Sequence, residues 1–358
     1  MINDKAAIDM LYDDALGLLK KLIQIPSFSR EERDTADLLC LFFDERQVSY
    51  QRVGNNVWAY NRYADADKPT ILLNSHHDTV KPNPGYTRDP FAAVIEEDRL
   101  YGLGSNDAGG CLVSLIAAFL YYHKAEDLSY NLCLLASAEE EISGKDGIEE
   151  AIRHTGPLAF AIVGEPTLLN LAVAEKGLMV LDCEAYGKAG HAAREEGENA
   201  IYKAMDAIGW FRGFQFPKVS PYLGPVKMSV TVINAGSQHN VVPASCKFVV
   251  DVRTTEMYSH DEVLAIIREH VHVDVKPRST RLTPSTIPLD HPVVQSGIRL
   301  GASTYGSPTM SDQALLSVPS LKVGPGDSAR SHMADEFIFL SEIRQGIMFY
   351  IDLLGGVL

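Results

Sequence analysis

The spacing of hydrophobic and polar positions changes period several times along the first half of the chain. "MINDKAAIDMLYDDALGLLKKLIQIPS" carries apolar residues at helical spacing with early acids, which predicts an amphipathic opening helix. Extended segments follow at "NNVWAYNR", "TILLNSHHD", "YNLCLLASAEE" and "LAFAIVGEP", with helices through "AGGCLVSLIAAFLYYHK" and "DGIEEAIRH" between them. This alternation predicts an α/β layer structure, and near-continuous apolar strands such as "NLCLLAS" imply a sheet covered on both faces. Between about Leu178 and Pro288 the texture shifts: "LMVLDCEAYGKAGH", "VKMSVTVINAG" and "ASCKFVVDVRTT" alternate like half-exposed strands, and only "ENAIYKAMDAIGWF" and "SHDEVLAIIREHV" keep a helical period. Several alternating strands with few helices predict an α+β module with an antiparallel sheet. The stretch from "HPVVQSGIRLGAS" to "SEIRQGIMFYIDLLGG" returns to the first texture. The expected architecture is therefore one α/β domain, residues 1–177 and 289–358, built on a mixed, mostly parallel sheet. A smaller α+β domain is inserted at 178–288.

Composition changes this picture little. At 358 residues, 46% hydrophobic and 22% charged, the chain reads as a soluble globular protein above the size at which single cores stop growing. Its 32 Lys+Arg against 47 Asp+Glu give a formal charge of -15, which argues against nucleic acid or an anionic membrane as a partner and for a small molecule. Five scattered cysteines with no CxxC pair read as free thiols rather than a thiolate metal site. The N-terminus lacks the pattern of a signal peptide, and no uninterrupted apolar run reaches the ~18 residues of a membrane span, so a cytoplasmic setting is expected.

The polar residues that interrupt the strands carry more. His76 and Asp78 follow one strand, Glu139 and Glu140 a second, and Glu165 a third, so all are expected near strand C-terminal ends, the ligand-binding edge of an open α/β sheet. On an extended chain His76 and Asp78 share a face while His77 points away. A histidine that ligates a metal commonly gives its other ring N–H to a carboxylate, a role open to Asp78. "YGLGSNDAGG" places Asp107 in a glycine-rich turn ahead of a helix, where an acid in the third slot would repel a pyrophosphate. Three consecutive glutamates, Glu139, Glu140 and Glu141, repel one another unless cations are near. His332 stands alone in "SARSHMADE".

In order, "NSHHDTV", "YGLGSNDAGG", "SAEEE", "VGEPT", "AEKG", "GKAGHAA", "SQHNVVPASC", "DVR" and "RSHMADE" span nearly the whole chain and resemble the M20 family of metallopeptidases and amidohydrolases, closest to its acetylornithine deacetylase branch. The resemblance implies a catalytic domain holding two Zn2+ ions, with Co2+ or Mn2+ as substitutes, bridged by Asp107. His76 and Glu165 complete one site, Glu140 and His332 the other. It implies Glu139 as general base, Asp78 as the carboxylate behind His76, and a cis peptide after Asp107. The run of three glutamates leaves a second register open, with Glu140 as base and Glu141 as ligand; the preceding strand favours the first. The sequence departs from the family at Ser75, where glycine is usual, and at Ala138, where aspartate is usual; neither is an implied ligand.

For the inserted domain the resemblance implies dimerisation. His191 would reach the metal site of the partner subunit to hold the developing oxyanion, and Asn240 and Arg253 would contact the substrate. The implied activity is hydrolysis of an N-acylated amino acid, with N-acetylornithine in arginine biosynthesis the expected substrate. Desuccinylase, other deacylase and dipeptidase activities are the alternatives, and a catalytically silent metal-binding scaffold is the reading from outside the enzyme class.

Overall fold

The computed structural model describes residues 5–358, and the chain divides into two compact units. One takes in the chain up to Val173 with Thr286–Tyr305 and Ser311–Leu358; the other takes Ala174–Ser285 and Gly306–Met310. The sequence assigns residues 306–310 to the α/β part. They go with the second unit because Gly306, lacking a side chain, lies against the Tyr222 backbone, where an added Cβ would come within 2.2 Å of its carbonyl oxygen.

The first unit is built on a mixed nine-stranded sheet that begins Tyr50–Val53, Asn56–Tyr60, Asn131–Ser137, Thr70–His76, Phe160–Val163, Ser320–Lys322. The four strands from Asn131–Ser137 to Ser320–Lys322 run parallel, and the first two are antiparallel. Every residue of Thr70–His76 and of Asn131–Ser137 is buried. Alternation then divides them: Ile71, Leu73, Leu132 and Leu134 join the large core, while Leu72, Cys133 and Leu135 join a smaller one with Trp58 and Ile148. A strand that must be apolar on both faces reads as an unbroken apolar run, which is the pattern the sequence displays.

The helices Lys5–Ile23, Gly110–Tyr122 and Leu340–Gly355 contribute to the large core. Gly110–Tyr122 is buried all round apart from Leu120 and Tyr121, as a helix with no polar face must be. A three-stranded antiparallel sheet, Phe337–Phe339, Arg99–Tyr101 and Val94–Glu96, lies ahead of the turn that carries Asp107.

The second unit holds a four-stranded antiparallel sheet in the order Lys227–Ala235, Ser245–Thr254, Gly177–Tyr186, Asp274–Pro277. Alternate residues Met179, Leu181, Cys183 and Ala185 pack with Phe211 and Val263 from the helices Ala200–Gly213 and His260–His270. Ser259 and Glu262 close the start of the latter helix with reciprocal capping bonds. The edge strand Lys227–Ala235 leaves Val232 and Ile233 exposed. All five cysteines are free thiols. Among the described residues, no helix is long and apolar enough to cross a membrane.

Candidate metal centre

Parallel pairing aligns the strand ends that carry the site. His76 lies opposite Ser137 and Asn74 opposite Val163, so the chain emerges toward Glu139–Glu141 and Glu165 at the same edge as His76. His76 is 1% exposed. Its Nε2 lies 3.3 Å from Asp107 Oδ1, 3.7 Å from Glu165 Oε1 and 3.9 Å from Glu140 Oε2. His332 Nε2 lies 3.0 Å from Glu141 Oε2 and 3.5 Å from Asp107 Oδ2. Two donor groups result, His76–Asp107–Glu165 and Asp107–Glu141–His332; within each, the ligand atoms lie within 4.8 Å of one another. Asp107 belongs to both, and its peptide bond to Ala108 is cis, as the resemblance implies.

The electrostatics are those of acids crowded together. Burial pushes the Glu165 carboxyl up to about 8, with His76 opposing and Asp107 adding to the rise. Burial likewise drives Glu140 well above the carboxylate range, His76 opposing and Glu165 and Asp312 reinforcing it. Burial alone would lower His76; Glu140, Asp107, Asp78 and Glu165 overcome it and hold the imidazole well above its ordinary value. The hydrogen bond to Glu141 raises His332 to about 9. Imidazole and carboxylate donors of this kind, in two groups that share one carboxylate, fit a pair of divalent cations.

Three glutamates in a row take three different directions. The strand ends at Ser137, and Glu139 then adopts a left-handed backbone (φ 56°, ψ 22°) before a 3₁₀ turn at Glu140–Ile142. Buried acids hold this turn. The Glu139 N–H donates to Glu32 Oε1 at 3.2 Å, and the Glu140 and Glu141 N–H groups donate to Asp78 Oδ1 and Oδ2 at 3.0 and 3.2 Å. The Glu139 carboxylate consequently faces the Arg30 guanidinium, 3.9 Å away, and lies outside both donor groups. The expected placement of Glu139 and Glu140 is therefore corrected by one residue: Glu140 lies beside His76, and Glu141 meets His332. Strand alternation gives the wrong register because it stops at the left-handed residue.

Asp78 does more than back His76. His76 Nδ1 is 3.0 Å from the Asp78 carbonyl oxygen and 3.5 Å from its carboxylate, which also accepts from Ser29 Oγ at 2.7 Å. His77 points away, bonded to Thr35 Oγ1 and the Asn55 carbonyl at 2.9 Å each, and burial lowers it to about 4. Behind Ser137, Asp312 accepts from its hydroxyl at 2.6 Å. Sequence reasoning passes over Glu32 and Asp312. The first sits in the charged stretch "SREERD", which reads as a solvated helix start, and the second has no motif around it.

The remaining expected residues lie in the second unit. His191, exposed, is on the short strand Gly190–His191 paired with Val241–Val242, and the Asn240 carbonyl accepts the Ala192 N–H at 2.9 Å, so His191 and Asn240 are neighbours. Arg253 is held by Asp251 on the same strand face, Nε to Oδ1 at 2.9 Å and a terminal nitrogen to Oδ2 at 3.1 Å.

The sheet edge and the loops beside it gather imidazoles and carboxylates into two groups with a common aspartate, an arrangement able to hold two cations. The chain belongs to Peptidase family M20/M25/M40, whose profile matches residues 72–355. It is 30% identical over 363 residues to acetylornithine deacetylase of Klebsiella pneumoniae, covering 90% of this chain and 92% of that protein. Against succinyl-diaminopimelate desuccinylase of a Nitratiruptor species, identity is 26% over 290 residues, 77% of each. The fold superposes on Bacillus subtilis YXEP, a dinuclear metal binding peptidase from the M20 family, with a TM-score of 0.75 at 16% identity, covering 97% of this chain and 98% of that one.

Proposed function

We propose that the protein hydrolyses the amide bond of an N-acylated amino acid, with N-acetylornithine in arginine biosynthesis as the first candidate. The observation that carries this reading is the sharing of Asp107 between two donor groups. His76, Asp107 and Glu165 would hold one divalent cation, and Asp107, Glu141 and His332 the other; zinc suits the donors, and cobalt or manganese could substitute. Bound there, the cations supply Lewis acidity and lower the pKa of a coordinated water from ~15.7 toward ~7.

The chain's own residues do the rest. Glu140, partly buried beside His76, accepts a proton from the attacking water at its carboxylate and returns it to the leaving nitrogen. Asp78 holds the His76 ring and the Glu140–Glu141 turn together. His191 would donate to the developing oxyanion from a second copy of the chain. Arg253, once released from Asp251, has the planar fork that grips a substrate carboxylate, with Asn240 near His191 as a further contact. A cytoplasmic homodimer joined through the second unit completes the reading, and the exposed edge strand Lys227–Ala235 offers backbone groups and apolar side chains for it.

Desuccinylation is the second reading, favoured by the likeness to desuccinylases. A panel of acetylated, succinylated and aminoacylated amino acids, tested on metal-replete protein by amine release, separates the two. Release from none of them refutes the proposal.

A further inference from the structure

Glu336 follows His332 by four residues and turns inward, 1% exposed. Its carboxylate collects three backbone N–H groups from the loop that carries Asp107. Gly104 donates to Oε2 at 3.0 Å, and Asn106 and Asp107 donate to Oε1 at 2.8 and 2.9 Å. The Glu336 carbonyl accepts the Gly102 N–H at 3.0 Å, and the adjoining strand Phe337–Phe339 pairs with Arg99–Tyr101, which leads into the loop. Gly102 and Gly104 have positive φ (153° and 75°), so no regular ladder satisfies the amides here. Buried N–H groups outside helix and sheet must find acceptors elsewhere, and one side chain supplies them.

We infer that Glu336 is a positioning residue of the metal centre, locking the Asp107 loop to the His332 segment so that both side chains stand in place before a cation arrives. The inference rests on reading Asp107 and His332 as ligands. Asp107 is common to both donor groups, so a shift of its loop disturbs both. The hydrogen bonds predict a graded series. Glutamine at 336 keeps a carbonyl oxygen for the Asn106 and Asp107 amides but turns an NH2 toward the Gly104 N–H. Alanine offers no acceptor.

The test is a chelator-competition titration of Co2+ into metal-stripped full-length protein, with the visible Co2+ spectrum and a thermal melt of each metal-free form. Wild type, Glu336→Gln, Glu336→Ala and an exposed control, Glu96→Gln, are compared. Replacing groups that orient ligands typically weakens metal affinity ~10–100-fold, so a loss of about tenfold is expected for Gln and about a hundredfold for Ala. The spectrum should change in both, and the control should match wild type. Affinity and spectrum unchanged in both variants overturn the inference. Equal losses for Gln and Ala overturn it too, since only the charge would then matter. Should Glu336→Ala not fold, the affinity and spectrum of Glu336→Gln decide. If wild type takes up no Co2+, or Asp107→Asn binds it as tightly as wild type, the ligand reading falls and takes this inference with it.

Discussion

Substituting Glu140 with glutamine keeps the shape of the side chain and removes its capacity to accept a proton. Its carboxylate is 3.9 Å from His76 Nε2, where a general base is expected to contribute ~10²–10⁴ in rate. At 1.36 kcal/mol per decade, that is a barrier increase of about 2.7–5.4 kcal/mol. Glu139→Gln is the matched control. The Glu139 carboxylate meets the Arg30 guanidinium 3.9 Å away and belongs to neither donor group, so its substitution leaves the donor atoms in place. Its backbone bond to Glu32 survives the substitution. The assay is kcat on the best substrate of the panel, with metal content determined by elemental analysis on the same samples. We predict a loss of two to four decades for Glu140→Gln with metal retained, and near wild-type turnover for Glu139→Gln. The reverse result, with Glu139→Gln inactive and metal-replete and Glu140→Gln depleted of metal, would refute the register argued from the turn.

Glu141→Ala should lower bound metal by about half, because it removes a member of the donor group with His332 and Asp107 but none of the other; elemental analysis after dialysis reads this directly. Asp78→Asn turns an amide NH2 toward the ring or the Glu140–Glu141 amides, so metal affinity should weaken ~10–100-fold in a chelator competition. Glu32→Ala strips acceptors from the buried Glu139 amide and from the part-buried Arg30 amide and Asn55 side chain; the buried amide alone costs ~1–3 kcal/mol, so the melting temperature should fall by a few degrees. In metal-free protein, His332 is raised to about 9 and Glu165 and Glu336 to about 8, so all three bind protons more tightly folded than unfolded. Their contribution is fully present below the unfolded values, 6.5 for His332 and 4.5 for the glutamates, and is lost as pH rises through the folded ones. The melting temperature in chelator should therefore decline toward pH 9, and added divalent metal should flatten that decline.

The fold class is legible because the middle of a strand buried on both faces reads as an unbroken apolar run, as residues 71–73 and 132–136 do, and a helix such as Gly110–Tyr122 with no polar face reads as apolar nearly all round. His76 and Glu165 are legible for a related reason: each is a polar residue where an apolar strand stops, and the parallel register at His76–Ser137 and Asn74–Val163 brings those stops to one edge. His332 and Asp107 sit in loops, and only the family resemblance points to them. Local pattern fails at Glu139, where a left-handed residue resets the direction of the side chains that follow. It fails again at Glu32, whose neighbours in sequence are charged and mostly exposed while its partner amide at Glu139 lies 107 residues away. A carboxylate that accepts distant backbone amides leaves no periodic trace.

The same residues give the acidic composition a second meaning. A formal charge of -15 suggests a surface that repels anions, yet part of the acidic excess is buried. Glu32, Asp78 and Glu336 are answered by backbone N–H groups, which cost no positive side chain and fix the turns bearing Asp107, Glu140 and Glu141. Glu140 is answered only in part by His76, and Glu165 only in part by His76 and Lys322, and burial shifts both carboxyls toward holding protons instead. Protons and divalent cations thus compete for the same oxygens, so affinity for metal must rise with pH as those carboxyls ionise. Acids satisfied by amides build the frame, and acids left short of positive charge form the site within it.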